Sequence, residues 1–180
     1  GHEFPSITCL CRGRNFTPRL TAGDIVVYMT KKHLYGGPTK QWRLTAVLKV
    51  QQLFDSHKDA ALWYQRKGCT LPSNCMVRGN KPEPVARSLG PRARHKGCAS
   101  DGGCGKWDSE YAERARLHGR FVVCAPLFVD LSWDAPVVHE KDLLAVFRRL
   151  PGTRNPGALD ISLLTPLLKR VGVDVPPSSL

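Results

Sequence analysis

The sequence predicts an α+β fold, a small curled β-sheet with helices packed on it. Three observations predict it. Trp42 to Phe54 carries apolar residues at Leu44, Ala46, Leu48 and Val50, the period of two that buries one face of a strand. Ile25-Val26-Val27-Tyr28-Met29 is a second β-rich run, short enough to be a buried strand. Between Ser56 and Gly68 the pattern changes to that of a capped helix. A chain of 180 residues can bury one proper core, and 42% apolar residues is ordinary for a globular protein and too many for a disordered one. One domain is expected over residues 5–175, with Gly1-His2-Glu3-Phe4 read as a cloning scar.

Taken in order, Ser6 to Cys11 alternates weakly and reads as a short strand. The basic connector Arg12 to Arg19 follows, and Gly23-Asp24 supplies a turn into the strand Ile25–Met29. Lys31 to Lys40, with Gly36-Gly37-Pro38, is a loop before the long strand Trp42–Phe54. Ser56 is placed to cap a helix, with the acidic Asp59 at the third position and Ala60, Trp63, Tyr64 and Lys67 on one side. Gly68 closes it. Residues 69–106 form a long basic insertion rich in Gly and Pro; a loop of such length inside a compact domain implies function, disorder or a metal staple. Asp108 to His118 reads as a helix ended by Gly119. Arg120 to Leu131 reads as a strand that Pro126 interrupts or displaces to an edge. Val137 to Leu150 starts extended and becomes a helix. Thr165-Pro166 places a cap and a first-position proline ahead of the last helix, with Gly172 after it. The tail from Pro176 is expected to fray.

The formal charge is +12, and its placement matters more than its size. Through Lys106 there are 18 Lys/Arg against 6 Asp/Glu; from Trp107 onward there are 9 of each. Excess confined to one part of the chain points to a polyanion-facing side, and nucleic acid is the preferred partner. No basic amphipathic helix accompanies the charge, so a membrane partner is not expected. No apolar run approaches the ~20 residues of a bilayer span, and the N-terminus shows no signal pattern of basic, apolar and small-residue regions, so a soluble cytoplasmic protein is expected. Seven cysteines, an odd number, argue for reduced thiols over a disulfide framework. Cys124, inside Phe121-Val122-Val123-Cys124, reads as a small buried hydrophobe.

Arg14-Asn15-Phe16, Arg19-Leu20 and Gly23-Asp24-Ile25-Val26-Val27-Tyr28 together resemble the opening of PUA-like domains of the EVE and ASCH type. The strand ends Tyr28-Met29-Thr30 where EVE domains commonly have Tyr-His-Ser. Leu44 to Val50 resembles the second strand of that pattern, and Pro136–Leu150 with Leu159–Leu164 resembles its closing segment. Leu71-Pro72-Ser73-Asn74-Cys75-Met76-Val77 and Trp107-Asp108-Ser109-Glu110-Tyr111 resemble bacterial nucleotide-modification-associated domain proteins. The resemblance covers about two-thirds of the chain. It implies a small β-barrel with flanking helices, related to readers such as YTH domains, and a pocket able to hold a base. The pocket would be lined here by Tyr28, Thr30, Trp42, Ser73, Asn74 and Trp107.

A flipped base needs flat apolar faces for stacking and a few polar groups for its edge. The aromatic supply is Trp42, Trp63, Trp107, Trp133, Tyr28, Tyr35, Tyr64 and Tyr111, of which Trp42 and Trp107 are the preferred walls. Trp63 and Tyr64 lie on a helix that needs a core, so burial is expected for at least one of them. The expected phosphate-binding rim is Arg12, Arg14, Asn15, Arg19, Lys31, Lys32 and Arg43. Arginine suits phosphate because its planar fork bonds two oxygens at once, and Asp24 is the only acidic residue between positions 4 and 54.

Cys69, Cys75, His95, Cys98 and Cys104 could supply a structural zinc site. The gaps Cys69-x5-Cys75 and Cys98-x5-Cys104 are wider than the usual ligand spacing, so free thiols are preferred and no cofactor is expected. Neither a P-loop nor a GxGxxG phosphate cradle is present. The leading expectation is a nucleic-acid-binding domain that recognises a modified or flipped base in a pocket with a basic rim. The alternatives are a small hydrolase or modification enzyme for a nucleobase or nucleoside, using Lys31 and Thr30 with a carboxylate or Cys75 as nucleophile, and a protein-interaction module. No catalytic residue is assigned.

Overall fold

The structure is a computed structural model and describes residues 3–9, 16–80, 115–152 and 157–180. Arg12, Arg14, Asn15, His95, Cys98, Cys104 and Trp107 lie outside the described residues, as does most of the expected insertion. The chain is α+β. Its strands are β1 (Ser6–Thr8), β2 (Ile25–Met29), β3 (Trp42–Phe54), β4 (Phe121–Val129) and β5 (Val137–Val138). Its helices are α1 (His57–Arg66), α2 (Glu140–Phe147) and α3 (Leu164–Arg170). The sequence reading treats 5–175 as one domain; the structure divides into two compact units. Unit 1 holds Thr21–Gln51 and Cys124–Leu180, and unit 2 holds His2–Leu20 and Gln52–Val123.

Unit 1 is built on the hairpin of β2 and β3, which pair antiparallel from Ile25↔Lys49 to Met29↔Leu44. Gly23 starts it in a left-handed conformation at φ 92, with the Thr21 amide donating to Asp24 Oδ2 at 2.8 Å. β4 lies on the other side of β3, and β5 pairs with the start of β3 through Trp42↔Val138. The expectation that β3 buries one face is corrected here. Tyr28 opposes Ala46 but Met29 opposes Leu44, so Thr45 is an extra residue that shifts the alternation. Leu44 and Val47 therefore share the main apolar cluster with Trp42, while Ala46 and Leu48 are buried on the opposite face.

α2 and α3 close that cluster. α3 contributes Leu164, Leu167 and Leu168, one helical face at spacings of three and four. Each buried leucine contributes roughly 1.5–3 kcal/mol. Thr165-Pro166 does not cap this helix; α3 begins at Leu164, continuing a 3-10 turn whose start is capped by Asp160 Oδ1 accepting from the Ser162 amide at 2.9 Å. The proline is tolerated because first-turn amides have no intrahelical partner. The tail is not frayed. Lys49 Nζ donates to the Ser179 carbonyl at 3.0 Å, and Leu180 packs on the core.

Unit 2 centres on α1, and its N-terminus matches the sequence reading: Ser56 is the N-cap, its Oγ accepting the Asp59 amide at 3.1 Å. Gly68 follows the helix at φ 69. Ala60 and Tyr64 are buried against Phe121, Val123 and Cys75, whereas Lys67 is exposed. Phe4, read as part of a cloning scar, packs edge-on against Trp63 at 5.2 Å, and its carbonyl accepts from Tyr64 Oη at 2.6 Å. β1 pairs antiparallel with β4 over Phe121–Val123 only. β4 runs on through Pro126, where β1 no longer opposes it, so the missing proline amide breaks no β1 ladder bond. Residues 115–117 are helical, and Gly119 follows at a close approach: a Cβ there would lie 2.4 Å from the Asp55 carbonyl oxygen. Among the described residues no helix is long and apolar enough to cross a membrane.

Candidate nucleic-acid interface

Of the expected basic rim, unit 1 brings together Lys31, Lys32 and Arg43; Arg19 is an exposed residue of unit 2. The three unit 1 cations have different surroundings. Lys31 is exposed, and its carbonyl accepts from Tyr35 Oη at 2.7 Å. Lys32 is paired with Glu140, and its ammonium sits 4.7 Å from the centre of the Trp42 ring. Arg43 is half-buried: Nη1 donates to the Ala135 carbonyl at 2.8 Å, and the guanidinium lies 5.9 Å from the Tyr35 ring centre. Its carbonyl accepts the Thr30 amide at 2.9 Å, and Thr30 Oγ1 accepts the Arg43 amide at 2.9 Å.

Trp42, expected as a pocket wall, is 8% exposed and packs among Leu44, Val138, Leu143 and the α3 leucines. A large apolar ring on the face that α2 and α3 cover is buried whatever loop precedes it. Tyr28 is partly exposed on β2, in the register position opposite Ala46. Ser73 and Asn74 belong to unit 2, where Ser73 is exposed and Asn74 bonds to β1: Ser6 Oγ donates to Asn74 Oδ1 at 2.7 Å, and Asn74 Nδ2 donates to the Ser6 carbonyl at 3.3 Å. Asn74 thus fastens its loop to β1.

The aromatic face that unit 1 does present is formed by residues the sequence reading left among the general supply. Tyr35 contacts His33 at a ring separation of 5.6 Å and Trp133 at 6.5 Å. Trp133 is 80% exposed and Leu131, two residues before it, 78%. Water gains nothing from such rings, so their display must be enforced locally. The Asp130 carboxylate accepts the Ser132 amide at 2.9 Å, and Ser132 Oγ accepts the Asp134 amide at 3.2 Å. Two successive side-chain turns of this kind shape residues 131–134, after the Asp130 amide has donated to the Thr45 carbonyl of β3 at 2.9 Å. Arg43 then ties Ala135 down, and the Leu44 amide donates to the Pro136 carbonyl at 2.9 Å. On the other side Tyr35 occupies a left-handed conformation, φ 44, ahead of Gly36 at φ 80. That is an uncommon backbone for a bulky residue, and it is held by the Tyr35–Lys31 hydrogen bond. Hydrogen bonds from Ser132 hold the Asp130 carboxyl below the usual range, so it is ionised near neutrality.

Cys75, the candidate nucleophile, is buried, and burial pushes its thiol up to about 11. A thiol at such a value is protonated at neutral pH and is not an activated nucleophile. It points instead to the His57 carbonyl at 3.5 Å. Cys69 lies in the loop after α1, its Sγ 3.7 Å from a Glu3 carboxylate oxygen. Among the described residues no group of three or more His, Cys, Asp and Glu converges as a metal cluster, and the remaining zinc candidates lie outside them. Cys124 is buried as expected of a small hydrophobe, with its thiol pushed up to about 12 by burial. The chain matches no family model, and neither a curated protein nor a solved structure gives a significant match.

Proposed function

We propose that this chain is a nucleic-acid-binding protein that takes up a base out of its stack, flipped or modified, on the unit 1 face formed by Tyr35, Trp133 and Arg43. The observation that carries the reading is Trp133, 80% exposed on a backbone shaped by the turns of its loop, with its ring 6.5 Å from that of Tyr35. A pre-set aromatic surface loses little conformational freedom on binding, and stacking one base on one aromatic ring is worth roughly 1–3 kcal/mol. The exposed Lys31 and Lys40 flank Tyr35 in its loop and supply sequence-independent attraction for phosphate. The confinement of the formal excess charge to the part of the chain before Trp107 supports the same partner. The PUA-like resemblance points the same way.

The test is fluorescence-anisotropy titration of the full chain with labelled DNA and RNA. Unmodified, methylated and hydroxymethylated oligonucleotides are compared at two salt concentrations. Binding that weakens as salt rises, with a preference for one modified base, is the expected result. Absence of binding at low salt to every oligonucleotide would defeat the proposal.

A further inference from the structure

We infer that the nucleic acid taken by this face is a single strand and not a duplex, an inference that rests on the nucleic-acid reading above. Charge is divided across the platform. Lys31 and Lys40 lie in the Tyr35 loop, both exposed, and Arg43 lies beside the Tyr35 ring. Trp133 stands instead between two carboxylates of its own loop, Asp130 and Asp134, and Asp134 is exposed. The hydrogen bonds from Ser132 that shape the loop keep Asp130 within it, so this side of the platform carries fixed negative charge.

A duplex carries a phosphate charge about every 1.7 Å along its axis, shared between two backbones. With the Tyr35 and Trp133 rings 6.5 Å apart, a duplex laid on Trp133 would bring its phosphates over the Asp130–Asp134 loop as well as over the lysine loop. Its base faces stay covered unless a base is flipped out, at an unpairing and unstacking cost that a single strand does not carry. A single strand has one backbone and free base faces. It can follow the Lys31–Lys40 loop with its phosphates and place a base on Trp133, leaving the carboxylates next to base edges, whose amino and imino groups are donors. Leu131, 78% exposed two residues before Trp133, adds apolar surface of the kind that a base face covers and a phosphate backbone does not.

The experiment compares one labelled 12-nucleotide mixed sequence, as a single strand and as its duplex, in DNA and in RNA. The proteins are the full chain and its Trp133→Ala, Trp133→Phe and Asp134→Asn variants. The single strand is expected to bind at least about tenfold tighter than the duplex. Trp133→Ala is expected to lose on the order of 10- to 100-fold in single-strand affinity, with an unchanged thermal midpoint because the ring is exposed. Trp133→Phe is expected to recover most of that loss. Asp134→Asn is expected to narrow the gap by improving duplex binding. A duplex bound as tightly as the single strand would overturn the inference and leave the nucleic-acid reading standing, as would single-strand affinity unaltered in Trp133→Ala. Failure of both forms to bind would remove the nucleic-acid reading itself and this inference with it.

Discussion

Protonation of His57 should destabilise unit 2 from within, and the structure sets the size of the effect. His57 is the first residue of α1 and is 4% exposed. Its Nδ1 accepts the Met76 amide at 3.0 Å, so the neutral ring carries its proton on Nε2, a buried atom with no hydrogen-bond partner in the structure. The ring stands edge-on to Phe121 at 5.0 Å. Cys75, whose thiol reaches the His57 carbonyl, offers no negative charge, since burial pushes that thiol up to about 11. Burial lowers the His57 pKa from 6.5 to about 4. The unfolded chain therefore takes up the proton first as pH falls. The stability associated with neutral His57 is fully present above about pH 6.5 and is lost progressively between there and pH 4. At 1.36 kcal/mol per pKa unit the loss is about 3 kcal/mol, a large part of a small unit's stability. The assay is urea unfolding followed by circular dichroism from pH 7.5 to pH 4, for the wild type and for His57→Asn, whose side-chain oxygen can still accept the Met76 amide. The wild type should show the pH slope and the variant should lose most of it. Equal slopes in the two proteins would refute the assignment of the acid sensitivity to His57.

Two substitutions check the packing. Gly119→Ala should destabilise by about 1–3 kcal/mol in a thermal melt, because the new Cβ meets the Asp55 carbonyl 2.4 Å away and the backbone must shift to accept it. Trp42→Ala should cost about 3–5 kcal/mol, the range for truncating a buried aromatic, whereas Trp133→Ala should leave the melting temperature within a degree or so. If Trp42→Ala melted like the wild type, the placement of Trp42 in the core would be wrong.

Local signals made much of the fold legible. β2 and β3 begin and end where their composition places them, and the Ser56 cap and Gly68 stop of α1 follow from short-range chemistry alone. What the sequence did not disclose depends on distant partners. The bulge at Thr45 arises only when β3 is matched to β2, yet it decides that Leu44 and Ala46 face opposite ways. The same holds for the candidate interface. Tyr35 and Trp133 lie far apart in sequence and meet where Arg43 on β3 reaches Ala135 and the Leu44 amide reaches the Pro136 carbonyl. The available hint was the loop Asp130-Leu131-Ser132-Trp133-Asp134, a turn-forming pattern of Asp and Ser that carries two large apolar residues outward. The Gly-Pro loop before Trp42 is a local signal for a pocket wall, but the ring packs with Leu44, Val138, Leu143 and the α3 leucines, none of them its neighbours in that loop.

Counting cations in a sequence treats Lys31 and Lys32 as equals, and the structure separates them. Lys32 already has a carboxylate partner in Glu140 and an aromatic face in Trp42. A phosphate would have to compete with both, so Lys32 contributes to holding α2 and β3 together more than to binding. Lys32→Ala should therefore cost about 1 kcal/mol of stability, the sum expected for a partly exposed ion pair and a cation–π contact. Its effect on oligonucleotide affinity should be small. Lys31 has the opposite profile, exposed beside Tyr35 and tied to it through its carbonyl, which the substitution leaves in place. Lys31→Ala should leave the melting temperature unchanged, weaken binding at low salt, and lower the slope of log affinity against log salt by about one. Equal effects of the two substitutions on that slope would mean that Glu140 does not hold Lys32 in solution, and the division of labour between the two lysines would fall.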